Sequence, residues 1–562
     1  MIAKIKKRTS IFLISLFSLT FSLQSCDKDP NEIIDNVIDF LLSILNQTGW
    51  LQDQEDMNNI PEDITPFDDS DGGTPVDKIS LEDKFPPIGN QGSYGTCVAW
   101  SVGYNLKTAL NAIEKGWTSS QLASAANQTS PKDLWLTIPN SEKGSRCEGT
   151  NFEPALDALI SSGVASMSAV PYTNMGNCTG TKTSDGQNKL ANYRKIASET
   201  TGQTPDNFKG YLSAGRPVAI GAKLGDRFMD WNSSATISSD TYNNPGMQHA
   251  YHAMVLVGYD DSKRAFRVRN SWGTSWGDNG SIWVDYDFFC RSFCFAAFVA
   301  QNVNSVSVGT GGIGSGDLSK GEDLLAYYAE DGESTDPDFS REFYYEIYNS
   351  GNTTIMPSQR WSVVYMYYNA TNASDYEVIF EDYYTDERGA GDGYYDAPGA
   401  LVGGWWNNYS VLPGKRVGEA EYEEGFVISY NMPEITGKYY LVVMADAYDV
   451  IKEVNEDNNF YFITADNGKP LEFKDGKILN MSKSSQSISR MSKTDKRPAP
   501  YSNTETQTVV KPGNLNAYTP TELKTMLLHD KKTGKMDAKI KAFRAESDGK
   551  SRMRKLPVVK NE

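Results

Sequence analysis

Apolar residues between positions 97 and 115 recur at helical spacing, which predicts a helix starting at a cysteine. Residues 152–162 repeat the pattern more weakly. Further on the period shortens. Residues 217–222, 252–259, 265–269 and 280–286 are apolar or alternating and are punctuated by Gly or Asp, so they predict strands. A helical half followed by a strand-rich half implies an α+β domain with room for a cleft between the halves. From residue 323 to about 473 the texture changes to alternating aromatic and polar positions, as in Phe343-Tyr344-Tyr345-Glu346-Ile347-Tyr348. Residues 361–368, 376–380, 425–430 and 439–444 read the same way and predict an all-β sandwich. Near the start, Ile33, Ile34, Val37, Ile38, Leu41, Leu42 and Leu45 fall at helical spacing and predict one short helix.

At 562 residues the chain is longer than one core usually spans. The pattern divides it into a targeting segment (1–25), an acidic tether with the short helix (26–76), the α+β domain (77–303), a Gly-rich linker (304–322), the β-sandwich (323–475) and a basic tail (476–562). Residues 477–562 hold 19 Lys and Arg against 8 Asp and Glu, so the net charge of -18 is about -29 without them. An acidic body argues against nucleic acid as a partner. The tail is rich in Ser, Lys and Thr and poor in aromatics, and its composition predicts disorder.

Lys4, Lys6, Lys7 and Arg8 precede an apolar run from Ile11 to about Leu23, too short for an ordinary membrane span. The run ends in Leu23-Gln24-Ser25-Cys26, which resembles a bacterial lipobox. That resemblance implies an exported protein held at the cell envelope by a lipid on Cys26, with membrane contact through this anchor alone. Export implies a compartment where disulfides persist. Setting Cys26 and Cys97 aside, Cys147, Cys178, Cys290 and Cys294 allow three pairings.

The run Gln91-Gly92-Ser93-Tyr94-Gly95-Thr96-Cys97 places a thiol where glycines end and a helix begins. The positive end of a helix favours thiolate, the reactive form. Downstream, His252 opens His-Ala-Met-Val-Leu-Val-Gly-Tyr and Asn270 opens Asn-Ser-Trp-Gly-Thr-Ser-Trp-Gly. His249 is a rival for the histidine, and His529 lies in the tail without a partner signal. Together these segments resemble the papain-like cysteine peptidases. The resemblance implies that Cys97 is the nucleophile, His252 its proton partner, Asn270 the group that orients the ring, and Gln91 an oxyanion donor with the Cys97 N–H. It further implies that Trp272 covers the His–Asn bond and that Gly149, in Cys147-Glu148-Gly149, binds substrate through its backbone. No cofactor or metal is implied, and the substrates would be proteins or peptides.

Two positions depart from that pattern. Tyr94 stands where the family usually has a second cysteine, and Val98 where a tryptophan usually follows the nucleophile. Cys147 then needs another mate, and Cys178, just after Pro171-Tyr172, is the best candidate. Cys290 and Cys294 could pair or stay as buried thiols. The short helix at 33–45 could occupy the cleft in place of a longer inhibitory segment. The end of the β region, Tyr439-Tyr440 through Asn455-Glu456-Asp457-Asn458-Asn459, resembles the bacterial immunoglobulin-like CARDB modules. The competing reading is a catalytically silent surface binding or scaffold lipoprotein that uses the sandwich for protein or glycan, with Trp405-Trp406 as possible contact residues. Acyl transfer to an amine, as in transglutaminases, is disfavoured because those enzymes normally orient the histidine with an aspartate.

Overall fold

A computed structural model describes residues 49–50, 59–65, 76–143, 149–173, 175, 186–198, 204–241, 250–303, 321–334, 337–359, 361–384, 411, 413, 426–481, 516–546 and 551–555. The expected lipidation site Cys26, the helix at 33–45, the pair Cys147 and Cys178, His249 and Trp405-Trp406 lie outside the described residues. The chain forms two compact units. The first comprises residues 1–63 and 68–306, the second 64–67 and 307–562.

In the first unit the predicted helix begins at Cys97 and runs as a π-helical stretch Ala99–Leu106 into α1 (Lys107–Lys115). All eight residues of the π stretch are buried, so it is a core element of the helical half. Gly116 ends α1 in the left-handed conformation, with its N–H on the last carbonyls. Two further helices flank it, α2 (Pro131–Thr137) and α3 (Phe152–Ser161). The periodicity missed α2, a short helix marked by a Ser130 cap and Pro131 in its first turn.

The other half is one eight-stranded sheet, ordered β2-β8-β3-β5-β6-β7-β4 with β1 on β5. Its members are β1 (Lys78–Ser80), β2 (Leu190–Ser198), β3 (Val218–Leu224), β4 (Thr236–Ile237), β5 (Ala250–Asp260), β6 (Ala265–Arg269), β7 (Ser281–Asp285) and β8 (Cys294–Asn302). Between β2 and β3 runs α4 (Pro205–Ser213), opened by a capping box at Thr204. Strands β3, β5, β6 and β8 are buried along most of their length, hence their near-continuous apolar runs. One apolar cluster joins the helical half to the sheet through Cys97, Val98, Leu134, Phe152, Ala253 and Phe298.

The tether expected at 26–76 is partly structured. Trp50 and Ile60 are buried in that same cluster. Asp63 N–H reaches the Lys195 carbonyl at 2.8 Å, and Lys195 N–H reaches the Pro61 carbonyl at 2.8 Å. Cys290 and Cys294, for which pairing was left open, are thiols not joined to each other. Cys294 is buried and donates to the Ala296 carbonyl.

The second unit contains two antiparallel sheets. One has four strands, β18-β13-β10-β9: β9 (Leu324–Glu333), β10 (Arg341–Asn349), β13 (Phe426–Tyr430) and β18 (Ser551–Lys555). The other has six: β11 (Trp361–Asn369), β12 (Tyr376–Tyr384), β14 (Gly437–Ala445), β15 (Phe460–Ile463), β16 (Leu471–Lys474) and β17 (Lys477–Ile478), ordered β12-β11-β14-β16-β17 with β15 on β14. They share a core in which Phe343 stacks on Tyr365 at 3.9 Å. Asp331 is buried there and takes the hydroxyls of Tyr365 (2.7 Å) and Tyr430 (2.6 Å) beside Arg341.

The tail corrects one expectation: it is not disordered throughout. Two helices, α5 (Pro520–Lys532) and α6 (Lys535–Glu546), follow the sheets, and β18 completes the four-stranded one. The physical reason is local. Thr519 and Glu522 form a capping box, and Leu523, Met526, Leu527, Met536 and Ile540 bury against Val364, Met366, Val442 and Met444 of the six-stranded sheet. Basic composition on the remaining faces hid an apolar stripe.

Candidate active site

Cys97 stands in the first turn of its helix, where the Trp100 N–H already bonds the Thr96 carbonyl at 3.0 Å. Its side chain is fully buried, and its Sγ accepts the Ala253 N–H at 3.4 Å. The sequence implied a thiol shifted towards thiolate. In the structure the balance runs the other way. Burial pushes the thiol up to about 12, against the opposing pull of backbone N–H groups from Ala253, Val98 and Cys97 itself. The helix start supplies its donors, but removing the sulfur from water outweighs them.

His252 lies on β5, one residue before the N–H that touches the sulfur, and is fully buried. It pairs across to Ala222 on β3. On the other side β6 runs antiparallel to β5 in the register Val255 with Arg269, which brings Asn270, the residue after β6, alongside His252. His252 Nε2 lies 2.7 Å from Asn270 Oδ1. The Ser271 N–H also reaches that Oδ1, at 2.7 Å. An atom receiving a backbone N–H is the oxygen, so the His252 bond is Nε2–H donating. Nδ1 is then the ring nitrogen able to take a proton from the thiol. The Trp272 ring lies 4.7 Å from the His252 ring, tilted by 36°, and is itself held by Phe228 and Trp276. It packs on the imidazole.

Gln91 is fully buried and tied to the segment that carries Asn270. Its N–H bonds the Ser271 carbonyl at 2.9 Å, and its Oε1 takes the Ser271 hydroxyl at 2.7 Å. Its Nε2 donates to the Tyr94 carbonyl at 2.8 Å. Ser271 therefore links Gln91 to Asn270, a role the sequence reading did not assign. Tyr172 was missed too. Its hydroxyl donates to the Gln91 carbonyl at 3.0 Å and lies 2.7 Å from Thr96 Oγ1, and its ring meets Tyr94 and Trp100 edge-on. At Tyr94, where the family usually has a second cysteine, this unit has an aromatic contact.

Gly149 faces the chain itself. Its φ is +156, and a Cβ there would fall 2.3 Å from the Gly49 carbonyl oxygen. The N–H given at this point is that of Thr150, which reaches the Gly49 carbonyl at 2.9 Å. The Trp50 N–H goes to the Tyr251 carbonyl at 3.3 Å. Gly49 also lies against Gly95, two residues before the nucleophile: a Cβ there would be 2.3 Å from the Gly95 oxygen. Residues 49–50 thus cross between the helical and sheet halves beside Cys97. In the sequence this contact left one trace, a Gly-Trp pair in an otherwise polar stretch. Among the described residues no group of His, Cys, Asp and Glu is arranged to hold a metal ion.

Residues 75–292 match the family model described as papain family cysteine protease. Cysteine proteinase 2 of Entamoeba histolytica is 30% identical over 204 residues, which are 36% of this chain and 60% of that protein. Cysteine endopeptidase Rep1 of Oryza sativa is 26% identical over 210 residues, 36% of this chain and 50% of that protein. The chain thus spans between half and three fifths of the length of these curated relatives. Among solved structures, that of xylellain, a cysteine protease from Xylella fastidiosa, aligns at 22% identity with a TM-score of 0.38, covering 46% of this chain and 97% of that one. The family match marks residues 75–292 as a papain-like cysteine peptidase domain, the region in which Gln91, Cys97, His252 and Asn270 converge.

Proposed function

We propose that this chain is a cysteine peptidase that hydrolyses peptide bonds with Cys97, His252, Asn270 and Gln91. The observation that carries the reading is the 2.7 Å His252–Asn270 bond beside a sulfur held by the neighbouring Ala253 N–H. In the first step the Cys97 proton passes to His252 Nδ1 and the sulfur attacks the peptide carbonyl carbon. The carbonyl oxygen becomes an oxyanion, with the Cys97 N–H and the Gln91 side-chain amide as its donors. The C–N bond breaks, the amine leaves with the proton from His252, and a thioester remains on Cys97. Water then gives a proton to His252 and attacks the thioester. The acid departs, and the proton returns to the sulfur. Asn270 holds the ring for both transfers, and Trp272 shields the bond that fixes it.

An epoxide that alkylates activated thiols tests this reading in the wild-type chain, Cys97→Ala and His252→Ala. Labelling is expected in the wild type, absent in the first variant and strongly reduced in the second. Labelling that survives Cys97→Ala overturns the assignment.

We further propose that the protein is exported and anchored to the membrane by lipid on Cys26. The Leu23-Gln24-Ser25-Cys26 segment after a short apolar run supports this. Among the described residues no helix is long and apolar enough to cross a membrane. Metabolic labelling with a fatty-acid analogue is expected to mark the wild type and to miss Cys26→Ala. For the second unit we propose an immunoglobulin-like, CARDB-type sandwich acting as a binding module. Two antiparallel sheets over a shared aromatic core support it.

A further inference from the structure

The indole of Trp50 occupies a pocket built for its shape. The ring is buried and lies directly over Gly221 of β3, where a Cβ would fall 2.3 to 2.7 Å from three indole carbons. Any other residue at 221 would take that space from the ring. The walls are Phe152, edge-on at 5.6 Å, and Tyr251, edge-on at 5.5 Å. One polar atom faces in: Asn151 Oδ1 accepts the indole N–H at 3.0 Å. A deep apolar slot with one acceptor set for a ring N–H is the chemistry that recognises tryptophan and, less well, other large aromatic side chains.

The pocket adjoins the reacting groups. Gly221 pairs with Ala253, whose N–H touches the Cys97 sulfur, and the next pair is Ala222 with His252. The backbone of residues 49–50 is held on both sides as a short peptide would be, by the Thr150 N–H on the Gly49 carbonyl and by the Tyr251 carbonyl on the Trp50 N–H.

We propose that this slot is the specificity pocket of the peptidase, selecting an indole-sized aromatic side chain in the peptide substrate, and that Trp50 fills it as a tethered competitor. The assignment rests on the peptidase reading for the identity of the ligand as a peptide. Gly221 sets the depth of the slot, and Asn151 distinguishes tryptophan from phenylalanine.

Binding without chemistry tests the slot. In the full chain carrying Cys97→Ala and Trp50→Ala, affinities are measured by calorimetry for blocked peptides that differ at one position: Gly-Trp, Gly-Phe, Gly-Leu and Gly-Ala. Gly-Trp is expected to bind at least tenfold more tightly than Gly-Leu and Gly-Ala. Adding Gly221→Val is expected to remove that preference. Adding Asn151→Ala is expected to bring Gly-Trp down towards Gly-Phe while leaving Gly-Phe unchanged. Equal affinities across the four peptides, or a preference untouched by both substitutions, overturns the proposal. If Gly221→Val does not fold, the Asn151→Ala comparison decides. Cleavage of the same sequences, extended on both sides, by the Trp50→Ala chain separates the two readings. Selective binding without cleavage sinks the peptidase reading and leaves the slot. Cleavage indifferent to the aromatic residue sinks the slot and leaves the peptidase.

Discussion

Asn270 Oδ1 receives both His252 Nε2–H and the Ser271 N–H, each at 2.7 Å, so the imidazole is held from a backbone-anchored oxygen. Loss of that oxygen leaves the ring in its pocket, still packed by Trp272 at 4.7 Å, but free to rotate and to change tautomer. Misplacing a catalytic group by about 1 Å costs on the order of a hundredfold in rate. Asn270→Ala is therefore expected to lower kcat roughly a hundredfold with little change in KM and an unchanged circular dichroism spectrum. A kcat within a factor of about three of wild type would mean that Trp272 alone orients the ring.

Trp50 and Cys97 belong to one buried cluster, and burial is what pushes the thiol up to about 12. A thiol with a raised pKa carries less thiolate at a given pH, so alkylation at neutral pH is slow while residues 49–50 are docked. Truncating a buried tryptophan to alanine removes about 3 kcal/mol or more of packing, which loosens the hold on residues 49–50. Trp50→Ala is expected to admit water, lower the Cys97 pKa and raise its iodoacetamide reaction at pH 7 by roughly tenfold or more. Peptide mapping keeps this separate from Cys290, which is partly exposed. An unchanged rate at Cys97 would show that other groups cause its burial.

The four catalytic candidates were legible because each lies in a short run whose local chemistry is distinctive: glycines before Cys97, an apolar strand after His252, and tryptophan and glycine after Asn270. Strand register then did the rest, since β5 and β6 are adjacent in sequence. Trp50 was not legible, because its slot draws on Asn151, Gly221 and Tyr251, which only the tertiary fold assembles. The upward push on the Cys97 thiol was not legible for the same reason. A helix start can be read locally, whereas desolvation depends on everything packed around the sulfur. The π-helical stretch after Cys97 likewise has no periodic signature that sets it apart from an α-helix. In the tail the signal was present, as Thr519-Pro520-Thr521-Glu522 ahead of Leu523, Met526 and Leu527, but the charge of the region masked it.

Lys107 is buried in α1, with its Nζ on Asn302 Oδ1 at 2.8 Å and beside Asn111 Oδ1. Burial lowers its pKa to about 7, with Glu114 opposing and Lys115 assisting. The unfolded chain keeps that proton up to about pH 10.4. Between pH 7 and 10 the unfolded state thus binds more protons than the folded one, and this residue makes stability rise with pH, by at most about 1.4 kcal/mol per pH unit. Below about pH 7 both states are protonated and the contribution is flat, at its least favourable. Urea denaturation at pH 7, 8.5 and 10 is expected to show that the stability difference between wild type and Lys107→Met shifts in favour of wild type as pH rises. A difference independent of pH would place the charged ammonium in both states.

Leu527 of α5 is fully buried among Met366, Val442 and Met444, strand residues of the six-stranded sheet, although it lies in the stretch whose composition suggested disorder. The two descriptions differ sharply in energy. In a solvated tail, Leu527→Ala changes stability by less than about 0.5 kcal/mol. In a packed core, the same change removes buried methyl groups and leaves a cavity, at a loss of about 2–5 kcal/mol. Thr519→Ala would remove one half of the capping box and cost about 1 kcal/mol more, acting through the helix start and not through the sheet. The two sites lie far enough apart for their effects to add, so the double variant is expected to lose about 3–6 kcal/mol in total. Chemical denaturation followed by the near-ultraviolet signal of the second unit's tyrosines measures both. A loss below about 1 kcal/mol for Leu527→Ala would detach α5 and α6 from the core and return the tail to a solvated chain.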